Sequence, residues 1–314
     1  MKAIQYLAFG DSSVLKLKTV DKPKPKANEV IIKVEAFSVN PVDMKIRQGF
    51  LQDTRPVQLP FIPGLDAAGF VDAVGENVTK FKKGDRVVGN GYNGTYAEYA
   101  SFPENHISFI PSNISFQEAS ALSIGLITAY TFLIEHGKVK KGDSILIHGA
   151  AGGTGIILVQ MAKALGAYVI GTDSSSGIEL AKSMGADEMI DYKNQDFKEM
   201  VKDVDLVIDF VGGQTQTDSF RTLKRRGKLL SAVSFPSQEM AEKYEIESKF
   251  LIASLSSENL DYGLKMASIG IIKPIISKTM SFENAAEAQD ILSKGGLKGK
   301  IILESSYTVA LETF

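Results

Sequence analysis

His148-Gly-Ala-Ala-Gly-Gly-Thr-Gly155 connects the apolar run Ser144-Ile-Leu-Ile147 to an apolar helical pattern over residues 156–165. The glycines of this turn lack the Cβ atoms that would keep backbone amides away from a phosphate. The beginning of the helix adds unpaired N–H groups and the positive end of the helix dipole. A strand, a glycine-rich turn and a helix in this order are typical of the first part of a dinucleotide-binding βαβ unit.

The surroundings of the turn support this interpretation. Ala150 stands where the strict G-x-G-x-x-G pattern has its first glycine, and Gly152 and Gly155 match the other two positions. A second strand is predicted over 167–172, followed by Asp173 where an acid that binds the ribose is expected. The alternative is a tight turn that binds nothing. The predicted pyrophosphate contacts are Gly152, Gly153, Thr154 and Gly155.

The composition is that of an ordinary globular protein of about two domains. The chain has 314 residues, 44% of them hydrophobic, and a formal net charge of −2. Because there is no basic excess, we expect no nucleic acid or anionic membrane as a partner. The absence of cysteine excludes disulfides and thiolate metal sites and fits a reducing compartment. No export signal is recognised and segment 119–134 is interpreted as a buried helix, so a cytoplasmic protein is expected.

Secondary-structure patterns predict two kinds of region. Up to about residue 111, short β patterns alternate with turns rich in proline and glycine, which predicts an irregular, mainly β domain. From residue 117 helices alternate with strands, which predicts βαβ units and a parallel sheet. The elements after residue 255 exceed what a nucleotide domain needs, so we expect the chain to return to the first domain. Strands are predicted over 29–36, 68–74, 86–88, 144–148, 168–172, 205–210, 227–232, 249–253 and 300–304.

Several motifs occur in an order that characterises one superfamily. They are Asn40-Pro-Val-Asp43, Ile46-Arg47-x-Gly49, Gly64-Leu-Asp-Ala-Ala-Gly69, Lys83-Gly-Asp-Arg-Val87, Thr128-Ala-Tyr130, the segment Leu180–Tyr192, Asp209-Phe-Val-Gly-Gly213 and Gly299-Lys-Ile-Ile302. With them the chain resembles, nearly end to end, the zinc-free members of the medium-chain dehydrogenase/reductase superfamily, namely quinone oxidoreductases and alkenal or enone reductases.

The resemblance implies an α/β protein with two domains. One is a GroES-like, mainly β catalytic domain over 1–122 and 256–314. The other is a Rossmann domain over 123–255, with a doubly wound parallel sheet. The resemblance also implies a nicotinamide in the cleft between the domains and a homodimer.

The catalytic metal of zinc-dependent relatives has no counterpart in this sequence. Those relatives bind zinc through a Cys, the His of a Gly-His-Glu motif, and a further Cys or His, whereas the matching motif here reads Gly64-Leu65-Asp66. Leucine offers no lone pair and the chain has no cysteine, so no metal ligands are predicted. His106, His136 and His148 are scattered along the chain and are interpreted as surface or packing residues.

The resemblance assigns three candidate catalytic residues, Lys45, Asn40 and Asp43, to a loop that faces the nicotinamide in relatives. Quinone oxidoreductases of the animal and enterobacterial kind carry tyrosine at the place of Lys45, whereas enone reductases have lysine there. An ammonium about 3 Å from a developing enolate oxygen can supply a few kcal/mol of transition-state stabilisation. We therefore predict that Lys45 donates to the substrate carbonyl; the alternative is a solvated surface lysine. For Asn40 the alternative is that it only shapes the turn.

Further cofactor contacts are expected where relatives touch the nicotinamide and its ribose. Thr128 is predicted near the start of a helix, and Gly212 and Ser234 follow the fourth and fifth Rossmann strands. No proton donor is assigned, because solvent can protonate an enolate.

Asp173 and its neighbours favour different cofactors, NADH and NADPH. A carboxylate about 4 Å from a 2′-phosphate costs about 4 kcal/mol at an effective dielectric near 20, which favours NADH. Ser174, Ser175 and Tyr192 can instead hydrogen-bond a 2′-phosphate, and similar reductases mostly use NADPH. NADPH is therefore favoured by the resemblance, and NADH stays open.

The predicted activity is hydride transfer from NAD(P)H to a quinone or an α,β-unsaturated carbonyl compound. Two alternatives stay open: a one-electron quinone reductase, and a nucleotide-binding regulatory protein on the same fold. The apolar strand Lys249–Ser254 is expected at a sheet edge, where a second copy would cover it in a homodimer. The alternative is an edge covered by the chain's own C-terminal elements.

Overall fold

The computed structural model describes residues 1–91 and 94–305. Contacts divide the chain into two compact units. Unit 1 consists of Met1–Ile124, Leu255–Ser268 and the residues from Ile275 onward, and unit 2 consists of Gly125–Ser254 and Ile269–Pro274. The functional roles predicted for the two domains, catalytic and nucleotide-binding, stay predictions.

Strands and helices alternate along the described residues, with strands dominating the first third of the chain. The strands are β1 (Lys2–Gln5), β2 (Lys16–Thr19), β3 (Glu29–Ser38), β4 (Asp66–Val74), β5 (Arg86–Asn90), β6 (Tyr99–Pro103), β7 (Ile107–Phe109), β8 (Ser144–His148), β9 (Tyr168–Asp173), β10 (Glu188–Asp191), β11 (Val204–Asp209), β12 (Leu223–Ser231), β13 (Glu247–Phe250), β14 (Ile276–Ser281) and β15 (Lys300–Glu304). The α-helices are α1 (Pro41–Arg47), α2 (Phe116–Ala129), α3 (Gly155–Ala164), α4 (Ser175–Ser183), α5 (Phe197–Met200), α6 (Gly213–Ser219), α7 (Gln238–Tyr244), α8 (Ser257–Ser268) and α9 (Ala285–Ser293). Short 3₁₀ turns occur at Ser12–Val14, Glu104–His106, Phe220–Thr222 and Phe282–Asn284.

Unit 1 is built around a mostly antiparallel seven-stranded sheet. Its strand order is β14-β15-β3-β4-β5-β7, with β6 also paired to β3. The ten residues of β3 are long enough to pair with β15, β4 and β6. Phe37, Tyr96 and Phe102 fill the core beside it, and the rings of Phe37 and Tyr96 are 4.7 Å apart. This core anchors β3, which leads almost directly into α1.

Unit 2 contains a six-stranded parallel sheet in the order β10-β9-β8-β11-β12-β13. Strands β8 to β10 extend the sheet to one side and β11 to β13 extend it to the other, which makes the sheet doubly wound. The apolar runs Ile145–Ile147 and Val207–Ile208 are fully buried, as parallel strands covered on both faces require. Ligands of such sheets bind outside the carboxyl ends of the strands where the direction of winding switches. The turns after β8 and β11 lie at this position.

One long apolar helix connects residues of the two units. Helix α2 continues without a break as a π-helix over Tyr130–His136. Among the described residues this 21-residue helix passes a length and hydropathy test for a membrane span, with a mean hydropathy of 1.2, but 72% of its most apolar window is buried inside the protein. Burial of that extent is typical of a core helix, as predicted for segment 119–134.

The mixed α/β class, with one mainly antiparallel and one doubly wound parallel sheet, is confirmed. Strands β8 and β15 have the predicted bounds, whereas the last strand of the parallel sheet is β13, Glu247–Phe250, rather than 249–253. Strand β10 was not among the predicted strands, because two of its four residues are acidic and the segment is too short to show a clear apolar pattern. It is an edge strand that depends on pairing with β9.

Candidate functional site

The turn between β8 and α3 is shaped by Gly149, which was not among the predicted pyrophosphate contacts. Gly149 has a φ of 75°, a conformation that favours glycine, and its carbonyl oxygen accepts the Gly152 N–H at 3.1 Å. A Cβ on Gly155 would lie 2.1 Å from that carbonyl oxygen. Gly155 is therefore required by the close approach of α3 to the turn, the packing role of the third glycine in such motifs.

The beginning of α3 offers donors to a ligand. The N–H groups of Gly153, Thr154 and Gly155 meet no acceptor within residues 1–91 and 94–305, and the Thr154 side chain does not cap the helix. Gly152 and Gly153 are partly accessible. Free N–H groups at the N-terminus of a ten-residue helix fit an anionic group such as a pyrophosphate.

Asp173 ends β9 and is turned toward the protein rather than toward solvent. Its side chain is 7% exposed; Oδ2 accepts the Ala151 N–H at 2.9 Å, and Oδ1 accepts the Ser174 N–H at 2.7 Å. The carboxylate thereby joins the glycine-rich turn to the beginning of α4. Both carboxylate oxygens already accept a backbone hydrogen bond. The argument for NADH assumed instead that the carboxylate faces the ribose.

Ser174, Ser175 and Tyr192 lie close together at the carboxyl ends of β9 and β10. The Ser175 hydroxyl donates to Asp191, and the Tyr192 N–H donates to the Asp173 carbonyl oxygen at 3.2 Å. Ser175 and Tyr192 are exposed, with 57% of Tyr192 accessible. Asp191 was not predicted as a site residue. The Ser175 hydroxyl holds the pKa of this carboxyl below its usual value, so Asp191 adds a negative charge to this group.

Gly212 and Ser234 are brought together by a buried carboxylate. Asp209, fully buried at the end of β11, accepts the Gly212 N–H at 2.8 Å and the Gln216 Nε2 at 2.9 Å. Gln216 also donates to Ser234 Oγ at 3.1 Å. Gly212 has a φ of 78°, and a Cβ there would lie 3.1 Å from a Val233 methyl group. Asp209 belonged to a recognised motif, but its organising role was not predicted.

The position of Thr128 differs from the sequence prediction. It was expected near the start of a helix, but it is the next-to-last residue of α2, two residues before the π-helix begins. The apolar pattern continues from 116 to 136 without an interruption that would mark this change. Thr128 is 7% exposed.

Asp43 and Lys45 lie on a helix in unit 1 and Asn40 immediately precedes it, whereas a loop was expected. Asn40 precedes the first residue of α1, and Pro41 begins the helix, where its missing N–H costs no hydrogen bond. The Asp43 Oδ2 accepts the Asn40 backbone N–H at 2.9 Å and the Tyr96 hydroxyl at 3.1 Å. The bond from the Asn40 N–H to the side chain three residues later is one half of a capping box, which the Asn-Pro-x-Asp spacing could have indicated.

A buried polar cluster surrounds the beginning of α1. Asn40 Nδ2 donates to Asp66 Oδ2 at 3.0 Å, and Asp66 also accepts the Ser38 N–H at 2.7 Å. Lys300 Nζ, from the first residue of β15, donates to Asn40 Oδ1 at 2.5 Å. Neither Asp66 nor Lys300 was predicted, although both stand in motifs that carry the family resemblance.

Burial governs the ionisation of this cluster. Desolvation raises the pKa of Asp43 to about 7 and also raises the pKa of Asp66, while the Lys300 charge opposes both shifts. Desolvation lowers the pKa of Lys300, and the charges of Asp66 and Asp43 oppose that shift. The cluster is therefore one coupled set of buried charges.

Lys45 differs from its neighbours on α1. Its side chain is half-buried, and its Nζ forms no hydrogen bond or ion pair with another residue in the described part of the chain. An ammonium in this state can donate to a ligand without first leaving a protein partner.

The residues near the Gly64-Leu65-Asp66 motif do not fit a zinc ion. Leu65 offers no ligand atom, and the Asp66 oxygens accept hydrogen bonds from Ser38 and Asn40. Within the described residues no group of three His, Cys, Asp or Glu side chains could hold a metal. His148 is fully buried between the Thr172 and Ser219 hydroxyls, and desolvation lowers its pKa to about 4, which fits the predicted packing role.

Two family profiles match the chain. Residues 26–112 match the alcohol dehydrogenase GroES-like domain, and residues 184–303 match a profile described as zinc-binding dehydrogenase. The second profile is named after a metal, whereas the described residues around the Gly64-Leu65-Asp66 motif do not form a zinc ligand set.

Known proteins resemble the chain over almost its whole length. The quinone oxidoreductase of Homo sapiens is 33% identical over 322 residues, covering 96% of this chain and 97% of the relative. A 2-methylene-furan-3-one reductase of Solanum lycopersicum is 35% identical, covering 96% of this chain and 79% of the relative. The crystal structure of the Escherichia coli quinone oxidoreductase complexed with NADPH superposes with a TM-score of 0.89 at 29% identity, covering 97% of this chain and all of that one.

Proposed function

The chain belongs to the medium-chain dehydrogenase/reductase superfamily, as a quinone oxidoreductase-like member, and on that premise we propose that it reduces quinones or α,β-unsaturated carbonyl compounds with a reduced nicotinamide nucleotide. It has the fold of the NAD(P)H oxidoreductases and is itself an oxidoreductase. The observation that carries the proposal is the turn at 149–155 with its free N–H groups, in a chain whose relatives carry quinone and enone reductase names. The substrate class is therefore a small, conjugated electron acceptor.

The cofactor would be held by backbone donors and glycines at the carboxyl ends of the parallel strands. The free N–H groups at the beginning of α3 would bind the pyrophosphate, since the helix dipole and the donors both favour an anion. The remaining proposed contacts are Thr128, Gly152, Asp173, Ser174, Ser175, Tyr192, Gly212 and Ser234.

The chain's own contribution to the reaction is electrostatic. A bound reduced nicotinamide supplies the hydride. The Lys45 ammonium would donate to the acceptor carbonyl and stabilise negative charge as it develops on that oxygen. Asn40 and Asp43 would hold the beginning of α1, because their buried hydrogen bonds fix the first turn of the helix that carries Lys45.

We propose NADPH as the preferred cofactor. The Asp173 carboxylate is engaged by the Ala151 and Ser174 N–H groups, so it is not free to select a ribose 2′-hydroxyl. Exposed Tyr192 lies nearby, and the Ser175 hydroxyl, which donates to Asp191, would donate to the phosphate instead. Asp191 opposes a 2′-phosphate, and the charge of Lys193 offsets it. Steady-state KM values for NADPH and NADH with one acceptor test the preference; a lower KM for NADH would reverse it.

We also propose that the enzyme works without zinc, as a homodimer in the cytoplasm. The proposal that zinc is not needed rests on the side chains around Leu65 and Asp66, which do not form a zinc ligand set. An activity that is lost with a chelator and restored by zinc would contradict it.

The dimer argument rests on β13, an edge strand with an exposed Ile252 next to it. The cytoplasmic location rests on the absence of cysteine.

Two measurements test the proposed activity and its mechanism. Oxidation of NADPH is followed with menadione, an alkenal and a cyclic enone, and at least one acceptor is expected to be reduced. Electron spin resonance during menadione turnover separates the mechanisms, because hydride transfer yields hydroquinone directly and one-electron transfer yields semiquinone. Tight NADPH binding with no oxidation by any acceptor would overturn the proposal in favour of a regulatory protein.

A further inference from the structure

Lys300 is a buried lysine whose position the proposed activity does not explain. Its side chain lies at the first residue of β15 and the residue is 6% exposed. Within the described residues, the one hydrogen bond of Lys300 Nζ goes to Asn40 Oδ1 at 2.5 Å. Lysine is rarely buried without a specific partner, because removing an ammonium from water is costly. The partner here is a neutral amide, so the contact is not a simple ion pair.

The Lys300 ammonium orients the Asn40 amide from its oxygen end, as the Asp66 carboxylate and the Ser38 carbonyl oxygen do from its nitrogen end. An ammonium has only donors, so it must face the amide oxygen and not the nitrogen. The amide nitrogen then points to Ser38 Oγ at 3.1 Å and to Asp66 Oδ2 at 3.0 Å. With Lys300 removed, the buried Asn40 oxygen would lose its only side-chain donor in the described residues, and the amide would be held from its nitrogen end alone.

The position of Asn40 matters because this residue caps the beginning of α1. Its backbone N–H donates to Asp43 Oδ2, and Asp43 is held in turn by the Tyr96 hydroxyl. Lys45 follows on the same seven-residue helix. A helix this short has little stability of its own, so its first turn depends on these side-chain contacts. A contact from residue 300 therefore acts on a residue 260 positions earlier.

We propose that Lys300 is a positioning residue: it fixes the Asn40 amide and thereby the beginning of α1, which carries the donor Lys45. The inference rests on the proposed function, since the importance of Lys45 comes from it. Lys300 itself touches neither acceptor nor cofactor in this proposal.

A double-mutant cycle tests the pathway through Asn40. Lys300→Met is compared with wild type, and Lys300→Met/Asn40→Ala with Asn40→Ala, all below the unfolding transition of every variant. Lys300→Met is expected to lower kcat for the best acceptor about tenfold or more while the NADPH Kd stays within about twofold. In the Asn40→Ala background the same change is expected to cost less than about threefold, because the contact is already gone. Equal losses in both backgrounds would overturn the proposal.

Two further variants separate positioning from general destabilisation. Lys300→Arg retains a charged donor and is expected to recover most of the lost kcat. Lys294→Met removes an exposed lysine six residues earlier and is expected to leave kcat unchanged. If Lys300→Met does not fold, Lys300→Gln, which retains a donor without the charge, replaces it in the cycle. Failure of Lys300→Arg to recover kcat together with a fully active Lys300→Gln would contradict a role for the ammonium.

A measurement without turnover keeps this inference distinct from the proposed function. Hydrogen exchange of the peptide spanning residues 40–47 is expected to accelerate in Lys300→Met and to stay near wild type in Lys300→Arg and Lys294→Met. If wild type reduces no acceptor, the proposed function fails while this exchange result still decides whether Lys300 holds α1. Unchanged exchange in Lys300→Met would refute the positioning role.

Discussion

Asp43 and Lys45 lie two residues apart on α1 and have opposite surroundings. Asp43 is 1% exposed and accepts hydrogen bonds from Asn40 and Tyr96, whereas Lys45 is half-buried and unpaired within the described residues. Positions two apart on a helix do not face the same side. One face of the helix therefore anchors it and the other presents an ammonium.

The role of Lys45 is tested by Lys45→Met. We expect kcat/KM for an enone to fall about 10- to 100-fold, because one donor to the developing oxyanion is lost. The NADPH Kd, measured by fluorescence quenching, should be unchanged. Lys83→Met, at an exposed lysine of the same unit, serves as the control and should retain wild-type kcat/KM. An unchanged rate in Lys45→Met would remove this residue from the mechanism.

Asp173 is expected to support structure more than cofactor choice. Asp173→Asn weakens the hydrogen bonds from the Ala151 and Ser174 N–H groups, so the free energy of unfolding should fall by about 1–2 kcal/mol. The ratio of the NADPH and NADH KM values should change less than about threefold. Chemical denaturation and steady-state kinetics measure the two effects. A strong shift toward NADPH in this variant would mean that the carboxylate faces the ribose.

The buried Asp43 carboxyl predicts a pH-dependent stability. Its pKa is about 7 in the folded protein, against 3.8 as the ordinary value, so the folded state retains a proton that the unfolded state has released. Its contribution to stability is complete below about pH 4 and is lost as the pH rises through about 7. Asp66 acts in the same direction, and the Lys300 charge opposes both.

Urea denaturation between about pH 4 and 8 measures this contribution. In Asp43→Asn the decrease of unfolding free energy with rising pH should be smaller than in wild type, by at most about 1.4 kcal/mol per pH unit. Asp53→Asn, at an exposed carboxylate, should leave the slope as it is. Parallel pH profiles of Asp43→Asn and wild type would contradict the assignment.

At the scale of elements, the important relation is between the glycine turn and α3. The turn closes on itself through the Gly149 carbonyl oxygen, and α3 begins directly against that atom. The helix can approach so closely only because residue 155 has no side chain. The same packing contact therefore sets the position of the N–H groups at the beginning of α3 and the distance of α3 from β8.

Gly155→Ala tests this contact. The added Cβ would lie 2.1 Å from a backbone oxygen, so α3 must shift. We expect a loss of stability of about 3 kcal/mol from overpacking, and a rise of about tenfold or more in the NADPH Kd because the helix N-terminus moves. Thermal unfolding and a binding titration measure both. Normal NADPH affinity in a destabilised Gly155→Ala protein would show that the N-terminus of α3 does not hold the cofactor.

At the scale of the whole molecule, unit 2 has an edge strand with apolar neighbours. Strand β13 ends the parallel sheet; Ile252 is 74% exposed and Phe235 is 77% exposed, and the Phe235 and Phe250 ring centroids are 4.6 Å apart. An exposed strand edge beside large apolar side chains favours pairing with another chain.

The proposed homodimer predicts that Ile252→Asp yields monomers, since a buried charge would be left unpaired at the interface. Light scattering coupled to size exclusion measures the mass. Ile269→Asp is the matched control, because Ile269 is similarly exposed at 68% in the same unit and lies far from β13 in sequence. A monomeric wild type, or an Ile252→Asp variant that remains dimeric, would contradict this interface.

The sequence by itself determined the βαβ pattern of the parallel sheet and the turn at 149–155, and the family resemblance added the doubly wound order. Those features are local: a buried apolar strand, glycines and a helical pattern within about twenty residues specify strand, turn and helix without reference to the rest of the chain. The motif positions also indicated Asn40, Asp43 and Lys45. Asn-Pro alone begins a turn as readily as a helix, and the signal for a helix after Asn40 was the acid three residues later, Asp43.

Only the tertiary structure decided which partner each buried polar group has. Asp173 could have faced a ribose, but the packing of α4 against the turn directs it to the Ala151 and Ser174 N–H groups. Lys300 meets Asn40 because β15 pairs with β3, across 260 residues of chain. A buried donor or acceptor must be satisfied by whichever group the fold brings beside it, and residue spacing does not encode that choice.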